Sequence, residues 1–152
     1  MSNIFSENPE WAIGSCIAIF IAFATHRFAM HRINMEHFRK KANAFESAIK
    51  REFAEIYPIQ AQWPENVDDY FRSIFPTLQA AVSEFREALP KSKASAFDEA
   101  WFIYRLGRDG REIDQQCYFQ YMGFQNSEKP YIEPRKAFKE NVDSLLSFTK
   151  ET

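Results

Sequence analysis

The length and composition of this chain exclude several classes of protein. Its 152 residues leave room for a single domain, or for an anchor with one small domain, and 45% apolar with 26% charged residues excludes extensive disorder. Sixteen Phe against four Gly favour packed helices over a turn-rich all-β fold. A net charge of −2 gives no global electrostatic basis for binding nucleic acid, so no nucleic-acid partner is expected.

The first element in chain order is an apolar run, WAIGSCIAIFIAFA, which extends from Trp11 to Ala24 without a charged residue. Because positive charge follows this run and does not precede it, the pattern does not fit a cleaved signal peptide. A bilayer core needs roughly 20 helical residues, with about 17 as a lower bound. Asn8 and Pro9 can begin a helix early, and a helix from Pro9 to His26 would be ~27 Å long. The sequence therefore predicts one transmembrane helix.

The alternative is a helix in the core of a soluble domain, as apolar runs of about 10–14 residues often are. This run is apolar around the whole helical circumference, and a small domain encloses such a helix only at its centre. Its position near the N-terminus therefore favours a membrane anchor. The residues expected to contact lipid are Trp11, Ile13, Ile17, Ile19, Phe20, Ile21 and Phe23.

A basic segment follows the apolar run. Its five basic residues, which we expect to bind lipid headgroups and to fix the topology, are Arg27, Arg32, Arg39, Lys40 and Lys41. The positive-inside rule places this side in the cytoplasm and the N-terminus outside, which predicts a single-pass protein of the cell inner membrane. The predicted organisation is an anchor with its basic flank, residues 1–33, followed by a cytoplasmic α-helical domain, residues 34–152.

Two long helices are predicted next. The first begins near Asn34, or continues directly from the transmembrane helix because residues 25–34 contain no strong helix breaker, and it ends before Pro58. The second begins at Asn66, which can cap it. Pro76 lies inside the second helix and predicts a kink, although the apolar face keeps its phase across it. The expected core face of the first helix is formed by Met35, Phe38, Ala42, Phe45, Ile49, Phe53 and Ile56. That of the second is formed by Val67, Phe71, Ile74, Leu78, Val82, Phe85 and Leu89.

The C-terminal part of the chain predicts two further helices. One begins near residues 92–95 and ends at GRDG, residues 107–110, and the last begins at Pro134. The segment 117–124 fits a short helix or an extended piece equally well. The fold class predicted is all-α, with an N-terminal transmembrane helix followed by a bundle of four to five helices.

The residues that could carry chemistry do not form a convergent set. His26 and His37 share a helical face but lie ~16 Å apart, and His31 points elsewhere, so we expect no metal site. Cys117 has no histidine close in sequence, and both Cys16 and Cys117 are expected to be buried apolar groups in a reducing compartment. The sequence therefore predicts no catalytic residue, no cofactor and no enzymatic activity.

One loop remains a candidate ligand patch. Arg105, Arg108 and Arg111 recur every three residues beside the aromatic residues that begin at Tyr118. Arginines beside stacking rings are typical of sites for anionic ligands. Three acids, Asp109, Glu112 and Asp114, cancel this charge locally and favour a salt-bridged loop.

The stretch SIFPTLQAAVSEFREALP, followed by FDEAW, resembles a pattern in small bacterial and phage-associated proteins that pair an N-terminal apolar segment with a helical body. This resemblance implies an architecture and assigns no activity and no functional residue. The function expected is a membrane-anchored, cytoplasmic scaffolding or protein-interaction module that contacts membrane lipid and a protein partner, with self-association left open. The alternatives are a small membrane-active effector of phage or toxin type, and an enzyme or binder of a small anionic ligand near Arg105–Arg111.

Overall fold

The computed structural model describes residues 9–59, 62–108, 110, 117–123 and 133–150, and for residues 9–14 and 16 it describes the backbone alone. Within these residues the chain is helical and contains no strand. The elements are α1 (Pro9–Glu52), α2 (Val67–Ala88), α3 (Lys91–Leu106), a 3₁₀ helix (Phe119–Tyr121) and α4 (Pro134–Ser147). The predicted all-α helical bundle is thereby confirmed.

The chain divides into two units, residues 1–37 and residues 38–152. The second unit contains the C-terminal part of α1 together with α2, α3 and α4, and we call it the bundle. The predicted division after residue 33, which separates an anchor from a cytoplasmic domain, stays a prediction.

The core of the bundle is built mainly from aromatic side chains on successive helices. Phe45 of α1 stacks on Phe85 of α2, with ring centroids 4.8 Å apart, and meets Phe97 of α3 edge-on at 5.7 Å. Phe53 meets Phe138 of α4 edge-on at 5.0 Å. Because each ring buries a large apolar area, a core of this kind makes up for the few residues available to a small domain.

The helix ends follow the capping chemistry of the sequence. The side-chain carbonyl of Asn66 accepts a hydrogen bond from the backbone N–H of Asp69 at 3.2 Å, so Asn66 caps α2 as predicted. Helix α2 continues through Pro76 to Ala88. Gly107 ends α3 with φ +76°, a conformation that glycine adopts without strain. Pro134 is the first residue of α4, as predicted.

Helix α1 ends earlier than the sequence predicts. It stops at Glu52, six residues before Pro58, and the chain continues in turns in which the N–H groups of Ile56 and Tyr57 both donate to the carbonyl of Phe53. A residue that precedes proline disfavours the helical conformation, which explains why Tyr57 lies outside the helix. Phe53 and Ile56 are nevertheless buried, so the predicted core face extends beyond the helix itself.

The predicted transmembrane helix is not supported. In the part of the chain that the structure describes, no helix has both the length and the apolar character needed to cross a membrane. The uncharged run from Trp11 to Ala24 is shorter than roughly 17 residues, and the polar His26 and Arg27 follow it closely. Two of the predicted lipid contacts, Trp11 and Ile13, lie outside the described side chains.

Candidate functional site

The N-terminal part of α1 carries an exposed apolar surface, which we call the apolar segment and define as residues 15–33. Its large side chains are exposed, to the extent of 72% for Phe20 and 71% for Phe28. The exposed large apolar residues described in the segment are Ile17, Ile19, Phe20, Ile21, Phe23, Phe28, Met30 and Ile33. Soluble monomers seldom expose so many large apolar groups together, and contiguous patches of this kind mark binding surfaces.

These side chains surround the helix and do not form a stripe. At 100° per residue, Ile17 and Ile21 lie on one side of α1, whereas Ile19 and Phe23 lie on the opposite side. The exposed Ala18 and Ala22 occupy the direction between them. A helix that packs on one partner helix needs one apolar face only. The apolar segment therefore requires a partner that contacts it from several directions.

The free energy available from covering this surface is large. Full burial of one large apolar side chain contributes about 1.5–3 kcal/mol, so covering the eight large side chains would contribute roughly 12–24 kcal/mol. This estimate is an upper bound, because part of the surface can already be shielded in the unbound ensemble. Even half of it would hold the chain firmly on an apolar partner.

The predicted headgroup-binding residues fall into two groups. Arg27, Arg32, Arg39 and Lys40 are exposed. Lys41 is half-buried, and its Nζ lies 3.2 Å from the Oε2 of Glu84 on α2, so this charge takes part in an ion pair inside the bundle. Arg27 and Arg32 lie within the apolar segment, together with the exposed His26 and His31.

The predicted ligand patch is described in part. The guanidinium of Arg105 is half-buried, and its Cζ lies 5.5 Å from the ring centroid of Trp101, one turn earlier on α3. Arg108 is exposed. Arg111 lies outside the described residues, as do Asp109, Glu112 and Asp114, so an anionic ligand at this loop stays a prediction.

Sequence reasoning missed a buried cluster of three tyrosines, Tyr104, Tyr118 and Tyr121. The hydroxyl of Tyr121 donates to the carbonyl oxygen of Tyr104 at 2.8 Å and accepts from the Nδ2 of Asn141 at 2.9 Å. The side chain of Gln120 donates to the same Tyr104 carbonyl at 2.8 Å. These hydrogen bonds pair the carbonyl of Tyr104 in the last turn of α3, where backbone carbonyls have no partner within the helix. The sequence offered no signal for them, because the partners are far apart along the chain.

The three hydroxyls of this cluster stay protonated at physiological pH. Burial raises the pKa of Tyr104, Tyr118 and Tyr121 well above its ordinary value, because the phenolate would lose its hydration. The hydroxyls of Tyr104 and Tyr118 have no hydrogen-bond partner among the described residues. The rings of all three tyrosines belong to the hydrophobic core of the bundle, and a neutral buried phenol is a poor base.

The groups considered for metal or thiol chemistry do not converge in the described residues. That part of the chain contains no group of three His, Cys, Asp or Glu side chains placed to hold a metal ion. His26, His31 and His37 are each exposed. Cys117 is a half-buried free thiol, which differs from the predicted full burial, and the side chain of Cys16 lies outside the described residues.

Comparison with known proteins adds no family to this geometry. No protein-family model matches the chain, and neither a curated protein nor a solved structure is significantly similar to it.

Proposed function

We propose that this protein is a non-catalytic helical interaction module that the apolar segment of α1 attaches to a membrane. The observation that carries the proposal is the exposure of large apolar side chains on all sides of α1 between Ile17 and Ile33. Lipid acyl chains contact an inserted helix from every direction, so they can cover the apolar side chains on all sides of the segment. A protein partner would have to surround the helix to do the same.

The charges within the segment support a phospholipid surface as the partner. Arg27 and Arg32 are exposed, as are His26 and His31, and the described part of the segment contains no acid. Each basic residue near an anionic leaflet contributes about 1 kcal/mol of attraction. The proposed location is accordingly the cell inner membrane, with the apolar segment among the acyl chains and the bundle in the cytoplasm.

The proposed role of the bundle is to present a surface to a protein partner near the membrane. Its described exterior carries several ion pairs. One is the bidentate pair between Arg86 and Asp98, whose closest atoms are 2.6 Å apart. A membrane-attached bundle raises the local concentration of whatever binds it, which is the physical advantage of a scaffold.

Flotation of the full-length chain with lipid vesicles tests this proposal. The chain should float with vesicles that contain anionic phospholipid, and Phe20→Asp should reduce the floating fraction because a charged side chain resists transfer into hydrocarbon. The matched control is Ile59→Asp, which places the same charge on an apolar side chain exposed to the extent of 80% outside the segment. This variant should float like the natural chain.

Two results would count against the proposal. One is a natural chain that stays with the soluble fraction, and the other is equal loss of flotation in Phe20→Asp and Ile59→Asp. Vesicles that also release an entrapped dye would instead support a membrane-active effector, which uses the same apolar segment to disrupt the bilayer.

A further inference from the structure

A second candidate site belongs to the bundle and shares no residue with the apolar segment. Where the chain passes from α1 to α2 it forms a cleft of about 510 Å³, which we call the acidic cleft. Its walls include Glu55 and Gln62, and the backbone N–H of Gln62 donates to the carbonyl of Glu55 at 3.4 Å. The other polar and aromatic residues in the described wall of the cleft are Trp63, Glu65 and Tyr70.

The charged groups in the described wall of the acidic cleft are both acidic. The carboxylates of Glu55 and Glu65 both line it, and neither forms an ion pair with the described part of the chain. No Lys or Arg is found among the described residues of its wall. The hydroxyl of Tyr70 donates its hydrogen bond to the carbonyl of Glu52 at 2.8 Å, so the Tyr70 oxygen can take part in a further hydrogen bond only as an acceptor. The cleft therefore suits a ligand that donates hydrogen bonds and carries positive charge.

The titration of Tyr70 agrees with a negative potential in the cleft. Burial raises the pKa of this phenol first, and the carboxylates of Glu55 and Glu52 raise it further because they oppose a second negative charge nearby. Of these two carboxylates Glu55 lines the cleft, and it would stabilise a cation placed beside Tyr70.

Aromatic rings add a second means of recognising a cation. The half-buried indole of Trp63 is held edge-on against Phe71 and Phe138, with ring centroids 6.4 Å and 5.7 Å away. The Cζ of Arg135 already lies 5.9 Å from the centroid of the Trp63 ring, so this indole accepts a guanidinium within the protein itself. Tyr70 is held edge-on against Phe71 at 5.3 Å. Carboxylates beside aromatic rings attract ammonium and guanidinium groups, through opposite charge and through the cation–π interaction.

We propose that the acidic cleft binds an organic cation, namely the ammonium or guanidinium group of a Lys or Arg side chain or of a small amine. The cleft has the size of a small-ligand site, and its open wall admits a side chain from a partner protein. Because all of its walls belong to the bundle, the site works whether or not the apolar segment binds a membrane.

The test follows the indole N–H resonances of the full-length chain in a mild nonionic detergent. The probes are n-butylguanidinium, n-butylammonium, the uncharged n-butanol, and a blocked Gly-Arg-Gly peptide. Both cations should shift the Trp63 resonance, which the variant Trp63→Phe assigns, and n-butanol should not. Tighter binding of the peptide than of n-butylguanidinium would identify a partner's side chain as the ligand, whereas equal affinities would identify a small cation.

Charge-removing variants make the test specific. Glu55→Gln and Glu65→Gln should each weaken binding of n-butylguanidinium about two- to fivefold, as expected for an exposed ion pair. Glu87→Gln removes the same charge from an exposed position of α2 that does not line the cleft, and it should leave the affinity unchanged. The proposal would be overturned by equal shifts with n-butanol, by equal effects of Glu87→Gln and Glu55→Gln, or by no shift with either cation at tens of millimolar.

Discussion

Helix α1 carries two apolar patterns that end in opposite environments. From Phe38 to Glu52 its apolar residues recur every three or four positions, and Ala42, Phe45 and Ile49 are buried in the bundle. In the apolar segment there is no such period, and the large side chains are exposed on all sides. The two parts differ in composition, since residues 38–52 contain seven charged side chains and the apolar segment contains two, Arg27 and Arg32. They also differ in distribution around the helix, and only a one-sided stripe can be covered by a neighbouring helix.

This difference defines what each part needs. The periodic part obtains its stability from the chain's own rings, with Phe45 placed between Phe85 and Phe97. The apolar segment gains nothing comparable from its own chain and gains most from an external apolar phase. Substitutions in the two parts should therefore affect different measurements.

The largest expected effect is on the free energy of unfolding. Phe45→Ala should lower it by about 3–5 kcal/mol, because the substitution leaves a cavity against two rings. Phe20→Ala, the same substitution in the apolar segment, should change it by less than about 0.5 kcal/mol. Urea denaturation of the full-length chain, followed by tryptophan fluorescence, provides both values. Similar losses in the two variants would erase the distinction between the two parts of α1.

Membrane binding should show the reverse order. Phe20→Ala should weaken partition into anionic vesicles about tenfold or more, since a buried Phe side chain contributes about 1.5–3 kcal/mol. Ala44, which is exposed on the periodic part of α1, offers the control Ala44→Ser, for which we expect unchanged partition. The two partition coefficients come from flotation at increasing lipid concentration, and an unaltered coefficient for Phe20→Ala would contradict the role of the apolar segment.

A smaller effect is expected inside the tyrosine cluster. Tyr121→Phe should lower the free energy of unfolding by about 1–2 kcal/mol, because the half-buried amide of Asn141 loses its acceptor. Tyr104→Phe should leave it unchanged or raise it by up to about 1 kcal/mol, because the lost hydroxyl has no partner among the described residues. The same urea titrations compare the two variants. Equal destabilisation would mean that the Tyr104 hydroxyl is paired in solution.

Much of this interior was foreseeable and some of it was not. The core faces of α1 and α2 follow from period alone, and Phe45, Leu78 and Phe85 are buried where the period places them. The tyrosine cluster depends on hydrogen bonds between residues far apart in the chain, such as Tyr121 and Tyr104, so no local pattern predicts it. The described wall of the acidic cleft comes from residues between Glu55 and Tyr70, and it depends on the path of the chain between α1 and α2, which has no periodic pattern.

The ends and environments of α1 were the harder part to foresee. The sequence placed the helix end at Pro58, but turns begin after Glu52, and Phe53 and Ile56 are buried outside the helix. The ambiguity of the segment 117–124 is resolved in part by a 3₁₀ helix at Phe119–Tyr121. The apolar run correctly marked a segment that differs from the bundle, because its large apolar side chains are exposed. Its predicted passage through a bilayer is not supported by the described residues.

The smallest effect concerns alkaline pH. The hydroxyl of Tyr57 donates to the Oδ1 of Asp143 at 2.7 Å, and its pKa is raised to about 12 by burial first and then by that carboxylate. Because the unfolded chain releases this proton near pH 10, the stabilisation is complete below pH 10 and is lost as the pH rises towards about 12. Tyr57→Phe should therefore flatten the fall in stability over this window. Urea midpoints at pH 9, 10 and 11 measure it, and an unchanged slope would refute the contribution.

The most direct test of the central claim is hydrogen exchange of the full-length chain with and without anionic vesicles. We predict that amides of α1 from Phe38 to Glu52 are protected in both conditions, because the bundle covers them, while those of residues 17–33 gain protection only when vesicles are present. Protection of residues 17–33 that is the same with and without vesicles would contradict the proposal that this segment binds the membrane.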